Sequence, residues 1–141
     1  QLQKRATADA AGYDYSRLSD DQLSDDYHYF IFPNITMNIF ADYVLFFRQR
    51  PHESDPNKMY FDMQTFSRLK SGRSKRPLPG HERFSHGERS LGLVLDQDSV
   101  NLPHVQKGMN STGYQGLWIS NQERRIRHMH KTLMDYMDGD G

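Results

Sequence analysis

A chain of 141 residues is long enough for one domain with a hydrophobic core, and 18 Lys+Arg against 18 Asp+Glu leave a formal net charge of zero. Nucleic acid and anionic membrane surfaces select a basic excess, so both are excluded as main partners. Without cysteine these residues hold no disulfide, no thiolate metal site and no thiol nucleophile. No apolar run is long enough to span a bilayer and no signal-peptide pattern opens the chain, so the expectation is a soluble, cytoplasmic protein. The chain opens on Gln1 rather than methionine, which suggests a piece of something longer. The sequons Asn34-Ile35-Thr36 and Asn110-Ser111-Thr112 are read as chance, because glycosylation needs a secretory context.

Residues 1–26 are polar, with Ser19-Asp20-Asp21-Gln22 and Ser24-Asp25-Asp26, and read as an arm or loop with room for one helical turn. Residues 27–141 form the domain proper. Tyr27 to Phe32 is a dense aromatic strand, punctuated by Pro33-Asn34. Ile35, Met37 and Ile39 alternate with Thr36 and Asn38, the period of a half-buried strand. Ala41-Asp42 makes a tight turn into a strand over Tyr43 to Gln49, and Lys58 to Phe66 resumes the alternation. Connections this short imply an antiparallel meander. Lys70 to Arg76 is basic, but it lies in a chain that is neutral overall and has no interleaved aromatics, so it reads as a solvated loop.

Two helices close the chain. One is expected from about Asp96 to Gly108, with Pro103 near its first turn or at a bend. The other is expected to start on the capping box Ser120-Asn121-Gln122-Glu123. It carries Ile126, Met129, His130, Leu133 and Met137 at helical spacing, a stripe suited to a core. The fold class is therefore α+β, a curved antiparallel sheet gripping a long C-terminal helix.

Asp98 is the residue with the sharpest chemical question. On a helix it shares a face with Leu102, Val105 and Met109, which puts a carboxylate on an apolar stripe. A carboxylate there needs a hydrogen-bonding partner, a cation or a metal. Two roles are open on spacing alone: helix N-cap, or a ligand or catalytic group.

Asp98 followed by Val105-Gln106-Lys107-Gly108-Met109-Asn110-Ser111 resembles a pattern of the Rieske non-haem iron ring-hydroxylating oxygenases, in the catalytic domain of the large (alpha) subunit. Tyr27-His28-Tyr29-Phe30-Ile31-Phe32-Pro33-Asn34 is similar to that family's Phe-Pro-Asn strand, and Ser120-Asn121-Gln122-Glu123 with Ile126 and His130 to the start of its last helix. The resemblance covers roughly Asp25 to Met137. It implies a helix-grip fold of the Bet v 1/START-like kind, here a partial domain. It implies oxygen insertion from dioxygen into a small aromatic or other apolar substrate at a mononuclear Fe(II). The iron would be held by two histidines and a carboxylate, a set suited to Fe(II) with open positions. By the match Asp98 is the carboxylate, while the histidine motif lies upstream of residues present here. A Rieske 2Fe–2S cluster in a separate N-terminal domain, ferredoxin and reductase donors, and a homotrimer with or without small subunits follow from the resemblance alone.

Phe30, Phe32, Met37 and Phe46 are candidate walls of a substrate pocket on the sheet side, and the resemblance adds Leu93, Val94 and Leu95 just before Asp98. Asn34 is a turn residue or a polar handle for substrate. His28 reads as a pocket-wall histidine and His104 as an exposed one, and His81/His86 and His128/His130 lack carboxylates at metal-site spacing. Helix-grip folds also enclose apolar cavities without catalysis, so a hydrophobic-ligand carrier is the rival reading and a plain interaction domain a third.

Overall fold

The computed structural model of the protein describes residues 1–72, 75–76 and 78–139, the side chain of Asp9 excepted. Arg73 and Ser74 of the basic run, and with them part of the solvated-loop reading, lie outside the described residues. The chain divides into two units, Gln1–Leu78 and Pro79–Gly141.

In the first unit the polar N-terminal segment holds three short helices rather than a single turn: α1 (Leu2–Ala6), α2 (Ala8–Ala11) and α3 (Asp20–Ser24). Ser19 and Gln22 cap α3 reciprocally. The Ser19 hydroxyl accepts from the Gln22 N–H at 3.3 Å, and the Gln22 side-chain oxygen accepts from the Ser19 N–H at 3.0 Å. Arg5 ties α1 to the approach of α3. Its guanidinium donates to the Tyr15 and Leu18 carbonyls at 3.2 and 2.7 Å and to Asp20 at 2.8 Å. Inside this clasp Ala8, Tyr15 and Leu23 are buried, with Tyr13, Leu18 and Ala41 packed around them.

The strands follow the predicted meander: β1 (Tyr27–Ile31), β2 (Ile35–Ile39), β3 (Tyr43–Pro51) and β4 (Met59–Ser67) form one antiparallel sheet in the order β1-β2-β3-β4. β3 and β4 each run slightly past their predicted C-terminal ends. The Ala41-Asp42 turn is fixed by the N-terminal segment. Tyr15 donates its hydroxyl hydrogen to Asp42, Lys4 pairs with the same carboxylate at 3.0 Å, and the Arg68 N–H donates to the Asp42 carbonyl at 2.7 Å.

The second unit contributes α4 (Leu93–Met109) and α5 (Arg124–Asp138). α4 starts earlier than predicted and continues through Pro103. α5 starts at Arg124 because the Glu123 carboxylate accepts from the Ser120 N–H at 2.8 Å and closes a turn ahead of the helix. It ends on Gly139, whose φ of +83° suits a residue without Cβ. No described residue of either helix is buried, and Met137 keeps 71 % of its surface. Along α5, Ile126, Met129, Leu133 and Met137 keep the helical spacing expected of them, a face able to pack. Four antiparallel strands plus helices make the protein α+β, consistent with the helix-grip fold. No described helix is long and apolar enough to cross a membrane.

Candidate functional site

The loop into α4 decides where Asp98 sits. Gly92 adopts φ +94°, and Leu93 begins the helix. Asp96 reaches back across this start. Its carboxylate accepts from the Leu91 N–H at 2.7 Å and from the Ser90 hydroxyl at 2.5 Å, and Ser90 Oγ accepts from the Gly92 N–H at 3.2 Å. The Ser90 and Leu91 donors hold the Asp96 carboxyl below its ordinary range.

Asp98 is thus an interior residue of α4 and not its N-cap, which overturns one of the two roles open on spacing. The Asp96 N–H already donates to the Gly92 carbonyl at 2.9 Å, so the helical ladder is running before Asp98 is reached. The Asp98 side chain is exposed and takes no hydrogen bond or ion pair among the described residues. Leu102, Val105 and Met109 line up with it along the helix and are exposed as well. An ionised carboxylate with free oxygens is a hard donor, so Asp98 fits one place in an Fe(II) ligand set. The described residues do not fill the other places, for no group of three His, Cys, Asp or Glu among them is placed to hold a metal. His28 and His104 are both exposed, His28 on β1 and His104 on α4.

The predicted wall residues fall in both units. Cross-strand partners share a face, and the register pairs Met37 with Tyr29 and with Phe46. Phe46 meets Phe66 edge to face at 6.2 Å. Phe30 pairs with Thr36, and Thr36 with Phe47, so Phe30 occupies the opposite face. One face of the sheet therefore cannot present Phe30, Met37 and Phe46 together, since alternate residues point to opposite sides. Phe32 lies in the β1–β2 turn. Asn34 shares that turn, and its amide donates to the Gln49 carbonyl at 2.6 Å, so it is engaged in holding β3. Leu93 and Val94 are 77 % and 70 % exposed in the first turn of α4, and Leu95 is half-buried. An open cleft of about 300 Å³ lies in the N-terminal segment, walled by Arg5, Tyr13, Asp14 and Tyr15, and shares no residue with these walls.

Sequence reasoning passed over a charged group on the Met37–Phe46 face. Arg48 and Arg50 both engage Asp62 across β3 and β4, at 2.7 and 2.9 Å, and the Arg50 guanidinium lies 5.0 Å from the Tyr60 ring centroid. Two arginines at a spacing of two, opposite an alternating strand, were the available signal. Hydrogen bonds from Arg50 and Arg48 hold the Asp62 carboxyl at about 2. A depressed value stabilises the fold above the ordinary carboxylate range, and that contribution is lost as pH falls through about 2. Asp62→Asn should cost about 1 kcal/mol at neutral pH. Denaturation midpoints should converge with the parent as the pH is lowered from about 4 toward 2. A gap unchanged across that window would show that the ion pairs contribute nothing.

Residues 3–139 match the family model described as ring hydroxylating alpha subunit (catalytic domain). The match takes in the N-terminal helices, the sheet, α4 and α5. No curated protein and no solved structure matches the chain.

Proposed function

The chain belongs to the ring-hydroxylating alpha-subunit catalytic-domain family, and from that premise we propose that it is part of a Rieske non-haem iron oxygenase in which Asp98 is the carboxylate ligand of the catalytic Fe(II). The observation that carries the proposal is the Asp98 side chain: exposed inside α4, unpartnered among the described residues, and set eight residues before Gln106-Lys107-Gly108. Two histidines from the longer subunit complete the ligand set. When bound, the iron supplies dioxygen activation with electrons delivered from a Rieske 2Fe–2S cluster in the N-terminal domain. The chain's own residues hold the metal through Asp98 and shape an apolar surface for the substrate.

On the sheet, Met37 and Phe46 share one face and are the substrate-contact candidates there; at the start of α4, Leu93, Val94 and Leu95 are candidates by the family resemblance alone. The substrate is a small aromatic or other apolar molecule, and the reaction is ring dihydroxylation, mono-oxygenation or dealkylation. Residues 27–141 act as the C-terminal part of the catalytic domain, with residues 1–26 as its N-terminal arm. Ferredoxin and reductase donors, a homotrimer with or without small subunits, and a cytoplasmic setting complete the reading. Family membership favours it over the ligand carrier.

The ligand account makes a direct prediction. The 141-residue chain purified alone should be colourless and hold no stoichiometric iron, whereas the full-length subunit should carry both mononuclear iron and the absorbance of the cluster. Metal analysis with an absorption spectrum checks both. Tightly bound iron at one equivalent in the chain alone would mean the ligands lie within it and would overturn the assignment.

A further inference from the structure

Residues 90–101 contain two possible starts for α4. In the structure the helix starts at Leu93, and it is held there by the Asp96 clasp on Ser90 and Leu91. Little else secures that first turn. Leu93 and Val94 are largely exposed, so apolar burial adds little to it. Farther along, Pro103 has no N–H to give to the Ser99 carbonyl, which weakens the ladder between the two halves of the helix.

The second start is at Asp98 itself. Aspartate is among the favoured N-cap residues, and a helix shortened to begin at Ser99 would turn the Asp98 carboxylate onto the N–H groups of Val100 and Asn101. In that arrangement the oxygens are occupied by backbone donors. In the longer helix those N–H groups belong to the interior ladder, and the Asp98 oxygens are free. The same aspartate is thus a cap or an available ligand, depending on where the helix begins.

We infer that Asp96 is a positioning residue for Asp98: by tying residues 90–92 to the first turn it fixes the start of α4 at Leu93 and keeps the Asp98 carboxylate free to bind metal. The inference rests on the reading of Asp98 as an iron ligand.

The test uses the full-length subunit, with hydrogen exchange over residues 91–99 read by mass spectrometry and Fe(II) affinity read by titration. Asp96→Ala should speed exchange across the first turn of α4 and weaken iron binding by about tenfold or more, the scale seen when a group that orients a ligand is removed. The cluster absorbance should be unchanged. Asp96→Asn should restore most of both readouts, because its amide oxygen accepts from the Leu91 N–H and its amide nitrogen donates to Ser90 Oγ. Ser90→Ala, a milder change, should shift both readouts in the same direction by less, and it serves if Asp96→Ala does not fold. Faster exchange with unchanged iron affinity would reduce Asp96 to a structural residue and overturn the inference. So would unchanged exchange, or a loss of affinity that asparagine fails to restore. Asp98→Ala measured in parallel separates the two levels. If it leaves iron binding intact, the ligand reading fails and this inference with it, whatever the exchange pattern.

Discussion

Replacing Asp98 with alanine in the full-length subunit should strip the mononuclear iron and lower turnover by more than about a hundredfold, beyond the range typical of changes outside a ligand set. The Rieske cluster belongs to another domain in this reading, so the protein should keep its colour. The geometry of α4 sharpens the test. Asp98 lies inside the helix and not at its cap, so its replacement removes no capping hydrogen bond. An exposed interior aspartate exchanged for alanine gains about 0.5 kcal/mol of helix propensity. Measured against the iron-free parent, stability should therefore stay level or rise slightly while the ability to hold iron is lost, a combination that general damage to the fold cannot produce. Asp98→Asn keeps the size and most of the hydrogen-bonding capacity but offers a neutral amide in place of an anionic oxygen. Iron content by elemental analysis, turnover and thermal midpoint together decide the matter. Full iron and full activity in Asp98→Asn would show that the carboxylate is not a ligand.

How much of this site was readable beforehand depends on the kind of signal each residue left. Asp98 stood out because a carboxylate at the spacing of Leu102, Val105 and Met109 conflicts with an apolar stripe. Its surroundings were less legible. The helix was expected to begin near Asp96, whereas it begins at Leu93. The clasp works from within the first turn, reaching back to Ser90 and Leu91, and a backward contact of this kind leaves no periodicity. The pocket walls show a different limit. Phe30 and Met37 were grouped by composition, yet the register puts them on opposite faces. A register slip of one residue reverses every side chain, and pairing is set by turns that composition describes only loosely.

The sheet was the most legible element. Alternation in Ile35–Ile39 and Met59–Phe66, with Pro33-Asn34 and Ala41-Asp42 between strands, specifies an antiparallel meander from local information alone. The N-terminal segment was the least legible. Its polar sequence hides three apolar positions, Ala8, Tyr15 and Leu23, which no regular period connects because they come from two helices and a loop. Their burial depends on the arginine fork of Arg5 and on a turn of the sheet far along the chain, and neither is visible from the segment itself.

That buried cluster sets the second large expectation. Tyr15 is 5 % exposed, stacks on Tyr13 at 5.8 Å, lies under the Arg68 guanidinium and donates its hydroxyl hydrogen to Asp42. Tyr15→Ala should destabilise the protein by about 3–5 kcal/mol, the usual cost of emptying a buried aromatic site. Tyr15→Phe keeps the ring and removes the hydroxyl. It should cost about 1.5–3 kcal/mol, because the lost bond is to a charged acceptor. The Asp42 carboxylate keeps Lys4 at 3.0 Å, which holds this figure below the full penalty for an unpaired buried charge. The pH dependence identifies the bond itself. Burial first, and then the Asp42 hydrogen bond, push the Tyr15 hydroxyl up to about 12. A raised value means that the contribution is complete below the ordinary tyrosine value near 10 and is lost as pH rises through about 12. Denaturant midpoints of the parent should therefore fall between about pH 10 and 12, while Tyr15→Phe, with no proton to lose there, should fall less over the same range. Parallel slopes for the two proteins would mean that the hydroxyl does not anchor the N-terminal helices to the sheet.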